Sequence, residues 1–492
     1  MSRVEVLSPR SPVSFDFDID VITSCSPRSP SGLSASFPRE KRLTNAILAE
    51  LLYTSSHVVH ATEDDSEEVI VVPGLPPVYR GHREFHLRQG VMKAAQLTAE
   101  CEPDAEKAFF VADLSYVYKQ HLRWKKNLPE IEPFYAVKCN PDPYVLRLLA
   151  ALGAGFDCAS NGEINLVLPL VDPSRVIFAN PCKATSFIRQ SARAGVDMMT
   201  FDNTDELHKI ARVHPGAKLI IRILTDDSKS LCRLGLKFGA PMVTVPALLG
   251  KARELNLDVI GVSFHVGSGS YDSNAFSDAV MRARMVFDMG KDAGYTFTLL
   301  DVGGGFEDPT FEASASVLKD AIEQYFPARD NLRIIAEPGR YYVAQAFSLA
   351  ANVIARRAPP TAEDVDPDSE NPSVMYYIND GVYGAFNCIL FDHQSPQPYI
   401  LSLDGSFHVP STVPLRPSSV WGPTCDSIDC VCSVTQLPST LQVGDWLAFD
   451  NMGAYTICAA SQFNGFQVSK VTYTAGGEFG REVREALRTF AS

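Results

Sequence analysis

Lys138 closes the apolar run Pro133-Phe-Tyr-Ala-Val-Lys138-Cys-Asn140. Burial disfavours the charged form of an amine, so a lysine at the end of a buried strand is expected to have a lowered pKa and to act as a nucleophile, the chemistry of a Schiff-base lysine. Other short apolar runs carry residues that would complete such a site. Asp157 ends Gly155-Phe-Asp157, with Glu163 soon after, Arg222 lies in Leu219 to Ile223, and His265 follows Val259 to Phe264. Gly303-Gly304-Gly305 follow Leu299 to Val302, and Glu337 follows Ile334 to Ala336. One lysine, one histidine, three glycines and one glutamate are not the interchangeable Ser, Asp and Lys that would merely solvate a rim. The glycines let backbone N–H groups approach an anion, and Arg340 in Glu337-Pro-Gly-Arg340 offers a bidentate guanidinium, so together they predict a phosphate cradle. A phosphate beside a nucleophilic lysine points to pyridoxal 5'-phosphate, whose ring nitrogen needs a carboxylate. Glu337 fits that role, His265 is placed to stack on the ring, and Ser268 to donate to the phosphate.

The elements that must hold these residues follow from the rhythm of the chain. From about residue 115, β-branched and aromatic runs alternate with helical periodicity. Eight such runs occur: Phe134 to Val137, Gly155 to Asp157, Val176 to Ala179, Met198 to Phe201, Leu219 to Ile223, Val259 to Phe264, Leu299 to Val302 and Ile334 to Ala336. The count predicts a (β/α)8 TIM barrel over 115–344, whose chemistry sits at the C-terminal strand ends and whose phosphate sites use the loops after strands seven and eight. No Gly-x-Gly-x-x-Gly turn follows the first run to suggest a doubly wound sheet. After residue 345 short strands separated by Pro, Gly and Asp predict an all-β domain over 345–470, with a mobile acidic loop at 358–373. Residues 79–114 read as a lead-in, in which Phe109 to Leu114 forms a strand pairing with that β domain. Residues 1–78, with Ser8-Pro-Arg-Ser-Pro12, Ser26-Pro-Arg-Ser-Pro30 and the acidic run at 63–68, read as a mostly disordered extension, and 471–492 as a C-terminal tail.

Composition narrows the partners. A net charge of -14 and no basic stripe disfavour nucleic acid and anionic membranes. The start of the chain lacks a basic segment followed by an apolar one, and no run of 18 apolar residues occurs, so neither a secretion signal nor a membrane span is expected. Eleven cysteines show no metal-ligand spacing, since Cys430 and Cys432 have no partner pair. Reduced thiols in the cytoplasm and no metal site are the expectation.

Seven segments, taken together, carry a resemblance. Phe134-Tyr-Ala-Val-Lys138-Cys-Asn, Gly155-Phe-Asp157-Cys-Ala-Ser, Phe264-His265-Val-Gly-Ser-Gly, Asp301-Val-Gly-Gly-Gly, Ala336-Glu337-Pro-Gly-Arg340-Tyr-Tyr, Trp421-Gly-Pro-Thr-Cys425-Asp426 and Asn451-Met-Gly-Ala-Tyr455 closely resemble the eukaryotic, fungal-like ornithine decarboxylase family. These are fold-type III, alanine-racemase-like pyridoxal-phosphate enzymes, and the likeness runs from about Phe109 to Gln467. The resemblance implies conversion of L-ornithine to putrescine and carbon dioxide, the first step of polyamine synthesis. It implies that Lys138 carries the cofactor as a Schiff base, Glu337 pairs with the ring nitrogen and His265 stacks on the ring. Ser268, Gly305, Arg340 and Tyr455 would hold the phosphate, with Asp157 and Arg222 around the lysine and ring. It further implies a homodimer with shared sites, in which Cys425 and Asp426 reach the other subunit's cofactor and Cys425 protonates the substrate α-carbon. Asp392 and Asp426 would receive the distal ammonium of ornithine. Read without the family, Cys425 is a small buried hydrophobe and the two aspartates are turn residues.

Two departures stand out. Phe391 replaces the Tyr that many relatives carry before the substrate aspartate, and Gly480 to Phe490, an expected short amphipathic helix, does not match the degradation tail of animal relatives. Two alternatives compete. A sibling decarboxylase would act on lysine, arginine or diaminopimelate, and the second carboxylate of diaminopimelate would want a cation where Asp392 and Asp426 stand. A catalytically inactive, antizyme-inhibitor-like binding protein would have lost cofactor residues that are intact here. An active enzyme can also bind antizyme through a barrel-surface helix.

Overall fold

The computed structural model describes residues 69–492 apart from 103, 104, 271, 273, 330, 359–370 and 492. The Ser/Pro-rich extension up to residue 68, and the acidic loop between 359 and 370, lie outside the described residues.

Eight parallel strands close into a barrel. In chain order they are Ile131–Ala136, Gly155–Cys158, Val176–Phe178, Met198–Phe201, Lys218–Arg222, Asp258–Ser263, Leu299–Asp301 and Arg333–Ala336, the eighth pairing back onto the first. All eight expected runs are therefore barrel strands. Side chains alternate across each strand, and Phe134, Ile177, Met198, Ile220, Leu299 and Ile335 meet in one cluster separate from the residues that face the helices. The helices start where the sequence supplies acceptors for their free N–H groups. Asp113, Asp142 and Asn203 each cap one, and Pro143 occupies the first turn of the second, where its missing N–H costs nothing.

A mixed sheet forms the second layer of the fold. Its central strand, Phe347–Arg357, runs antiparallel to Phe109–Asp113, Val374–Ile378 and Trp446–Phe449. Phe109–Asp113 also lies parallel to Lys470–Thr474, so the strand preceding the barrel is held between two strands that follow it. One helix was not legible in the lead-in. Arg83–Ala99 packs Leu87, Val91 and Ala94 on Val111, Ala350 and Trp446. Those apolar residues keep helical spacing, but charged and polar neighbours leave so narrow a stripe that periodicity alone does not reveal it. The expected C-terminal helix is present at Gly480–Arg488, burying Val483 and Leu487 one turn apart.

Candidate active site

Strand register brings the candidate residues to one level. Asp301 lies opposite Ser263 on one side and Ile335 on the other, so His265, Gly303 and Glu337 each stand two residues beyond the same rung. Ala136 pairs with Asp157, which puts Lys138 two residues above that aspartate, in a single turn of 3₁₀ helix after the first strand. Lys138, His265, Ser268, Gly305, Glu337, Arg340 and Tyr455 line one cleft at this rim, together with Ala136, Phe306, Glu307 and Gly339. About 330 Å³ of space, partly open to solvent, lies between these residues.

The charge state of Lys138 differs from the sequence expectation. Burial does lower its pKa, but the carboxylates of Asp157 and Glu337 outweigh burial and the net shift is upward. Lys138 Nζ donates to Asp157 Oδ2, and Asp157 is fully buried whereas 39% of the Lys138 side chain is open to the cleft. Apolar neighbours alone predict a lowered pKa, and Asp157, directly beneath the amine, reverses that shift.

Glu337 and Asp301 are neighbouring buried carboxyls. Burial is the first cause of the upward shift of each, and for Glu337 the charges of Asp157 and Asp301 add to it. Gly303 N–H donates to Asp301 Oδ1 at 2.9 Å, while Oδ2 has no donor. His265 is pushed well below the usual imidazole pKa, first by burial and then by Arg222 and Lys138. Its Nδ1 accepts Gly267 N–H at 3.0 Å, so the neutral ring carries its proton on Nε2. Arg222 is buried with its guanidinium 5.2 Å from the centre of the Phe238 ring.

A Cβ on Gly304 would stand 2.8 Å from both His265 Nε2 and the Glu337 carbonyl oxygen, and Gly305 adopts φ +97°, a conformation closed to most side chains. Beside them, Arg340 Nη2 donates to Ser268 Oγ at 3.3 Å and to both oxygens of Asp392 at 2.6 Å. Tyr455 enters from the β domain, its backbone N–H on the Cys139 carbonyl at 3.0 Å and its ring 5.2 Å from the Arg340 guanidinium. An amine, a buried carboxyl pair, a neutral imidazole and a cationic glycine-lined cradle suit an aromatic aldehyde with a ring nitrogen and a phosphate.

Asp392, Phe391, Cys425, Asp426 and Glu163 stand apart from this cleft. Asp392 is buried against Arg340 rather than lining it, and Phe391 is 70% exposed. Cys425 is exposed on the loop after Leu415–Trp421, and beside it the Asp426 carboxylate accepts the Tyr383 hydroxyl, which holds its pKa low. Glu163 is a helix cap, its carboxylate accepting Ala159 N–H at 2.6 Å while Ser160 Oγ accepts Glu163 N–H at 3.2 Å. Sequence reasoning missed Glu307 and the role of Asp301. The signal for Asp301 was its place at the end of strand seven, and for Glu307 its place two residues past the glycines.

Residues 114–344 match the model of the family "Pyridoxal-dependent decarboxylase, pyridoxal binding domain". The ornithine decarboxylase of Schizosaccharomyces pombe is 47% identical over 432 residues, covering 87% of this chain and 97% of that protein. Antizyme inhibitor 2 of Xenopus laevis is 54% identical over 375 residues, covering 74% of this chain and 80% of that one. Among solved structures, the Paramecium bursaria Chlorella virus arginine decarboxylase bound to agmatine superposes with a TM-score of 0.71 at 34% identity, covering 78% of this chain and all of that one.

Proposed function

The chain belongs to the ornithine decarboxylase family of pyridoxal-phosphate-dependent decarboxylases, and from that premise we propose that it converts L-ornithine to putrescine and carbon dioxide. The observation that carries the reading is the meeting of Lys138, the Glu337 carboxyl and the Gly305–Arg340 cradle in one small cleft. Pyridoxal phosphate, when bound, supplies an electron-accepting ring that takes up the bonding pair left as carbon dioxide departs. Lys138 would offer Nζ to the cofactor aldehyde, held in place by the hydrogen bond it donates to Asp157 Oδ2. Glu337 would sit against the ring nitrogen and hold a proton there, its own pKa pushed up first by burial and then by the charges of Asp157 and Asp301. His265, neutral and fixed by Gly267, offers a flat uncharged face to the ring. Arg340, Ser268, Gly303, Gly304, Gly305 and Tyr455 receive the phosphate.

Cys425 and Asp426 lie off their own chain's cleft, which supports a homodimer in which each copy completes the other's site. Cys425 Sγ–H then protonates the substrate α-carbon, while Asp426 and Asp392 receive the distal ammonium, with Phe391 at the rim of that pocket. A cytoplasmic location is part of the proposal and is checked by cell fractionation. Among the described residues no helix is long and apolar enough to cross a membrane.

The test is turnover of ornithine, lysine, arginine and diaminopimelate, each with and without added cofactor. A clear preference for any of the last three sinks the choice of ornithine. Similarity to an antizyme inhibitor favours one second reading, a binding protein without activity. The purified protein is expected to be yellow and to be locked to its cofactor at Lys138 by borohydride, whereas a colourless protein after cofactor addition would support the second reading. Binding of antizyme to an active enzyme is a separate outcome, read by co-purification.

A further inference from the structure

Glu307 stands in the cleft, and nothing in the proposed reaction uses it. Its Oε1 lies 3.1 Å from Arg340 Nε and accepts the Gly269 backbone N–H at 3.1 Å. The Arg340 contact is an ion pair in which the N–H does not point at the carboxylate as a directed hydrogen bond. Glu307 follows strand seven, Arg340 begins the helix after strand eight, and Gly269 lies in the segment after strand six. One carboxylate thus fastens three loops of the rim. The fastening closes on Ser268, whose Oγ accepts from Arg340 Nη2.

Glu307 is itself held from both sides. Phe306 is buried with its ring centre 5.0 Å from that of Trp124. Asp308 accepts Gln120 Nε2 at 3.0 Å on its side chain and Arg123 Nη2 at 3.0 Å on its carbonyl. The Glu307 side chain is 15% exposed and that of Arg340 11%. This is not a mobile rim carboxylate that happens to touch a cation.

Charge alone argues against a carboxylate here, because it repels a phosphate bound to the same arginine. A buried anion kept beside an anion site is accounted for by what it fixes in place. Both side chains that reach the phosphate from this edge, Arg340 and Ser268, are set by the Glu307 bridge, and a preset cradle spares the ligand the cost of ordering them.

We propose that Glu307 is a positioning residue for the cofactor phosphate, holding the Arg340 guanidinium and the Ser268–Gly269 turn in one fixed relation. The inference rests on the reading of the glycine cradle as the phosphate site. The full-length protein, stripped of cofactor, is titrated with pyridoxal phosphate and separately with pyridoxal, which lacks the phosphate, following the absorbance of the Lys138 adduct. Glu307→Ala is expected to weaken pyridoxal phosphate binding about tenfold or more and to leave pyridoxal binding as in wild type. Glu307→Gln keeps an oxygen for Gly269 N–H and removes the repulsion, so it is expected to bind pyridoxal phosphate within about threefold of wild type, or tighter. Glu307→Ala binding as tightly as wild type, a loss shared equally by pyridoxal, or Glu307→Gln as weak as Glu307→Ala overturns the inference. Wild-type protein that binds both ligands equally removes the phosphate-cradle reading instead.

Discussion

Arg340 and Asp392 form an ion pair in which one guanidinium nitrogen, Nη2, stands 2.6 Å from both carboxyl oxygens, although the two residues are proposed to serve different ligands. An anion entering the cradle competes with Asp392 for that nitrogen. Asp392→Asn keeps the shape and removes the competing charge, so inorganic phosphate should bind the cofactor-free variant about tenfold more tightly. The KM for ornithine should rise by about tenfold or more in the same variant. Calorimetric titration and steady-state kinetics check the two arms, and unchanged phosphate affinity would show that Asp392 does not compete.

Sharing of sites between subunits predicts a pattern that neither single variant shows. Lys138→Ala removes the attachment point and Cys425→Ala the proton donor, and each should lower kcat by about 10²-fold or more. Random re-association makes about half of the dimers mixed, and each mixed dimer has one site wild type at both positions. Activity should return to about a quarter of wild type. No recovery, with subunit exchange shown by tagged copies, would place both residues in one chain's site.

The carboxyl of Asp301 gives a pH dependence whose sign is fixed by its environment. Burial, its leading cause, raises its pKa to about 7 against the pull of Gly303 N–H, from an ordinary value of ~4. Between those values the folded protein holds a proton that the unfolded chain has released, so this group's contribution is full below pH ~4 and is lost as pH rises through ~7. Asp301→Asn carries no such proton. In cofactor-free protein the variant should therefore gain on wild type in Tm by at least ~2 °C between pH ~5 and ~8. Parallel Tm curves over that range would count against a raised Asp301 pKa.

Gly304 tests close approach. A methyl group there must displace His265 or the Glu337 backbone, both 2.8 Å from its ideal position. Gly304→Ala should weaken cofactor binding about tenfold or more with little change in Tm, because the displaced groups face the cleft rather than the core. Absorbance titration and thermal melts read the two effects, and a normal affinity would argue that the ring does not use this face.

The barrel and most of its rim were legible because strand periodicity is local, and because parallel strands leave their C-terminal residues on one edge. Lys138, His265, Glu337 and Arg340 follow from that rule alone. The raised Lys138 pKa was not legible, since it depends on Asp157 rising beneath it from the next strand. Glu307 and Asp301 were hidden because acidic residues near turns are common, and only the fold brings one to Arg340 and the other to Glu337. Cys425 was read through the family alone, and its exposure in a single chain is the kind of fact that no one-chain pattern encodes.

The strand pairing described above also decides how this protein can be divided. Phe347 lies opposite Ala112, so the whole barrel is an excursion that leaves one ladder of the sheet and returns to its neighbouring rung. The entropic cost of closing so long an excursion grows only with the logarithm of its length, so the sheet tolerates it. Separation is another matter. A fragment beginning at Leu114 would strip a partner from both Phe347–Arg357 and Lys470–Thr474, opening two strand edges at once. A fragment ending after the eighth strand would lose Tyr455 from the mouth of the cleft. Barrel and sheet are thus one folding unit, and a change in the sheet reaches the lysine through Cys139, on whose carbonyl Tyr455 rests.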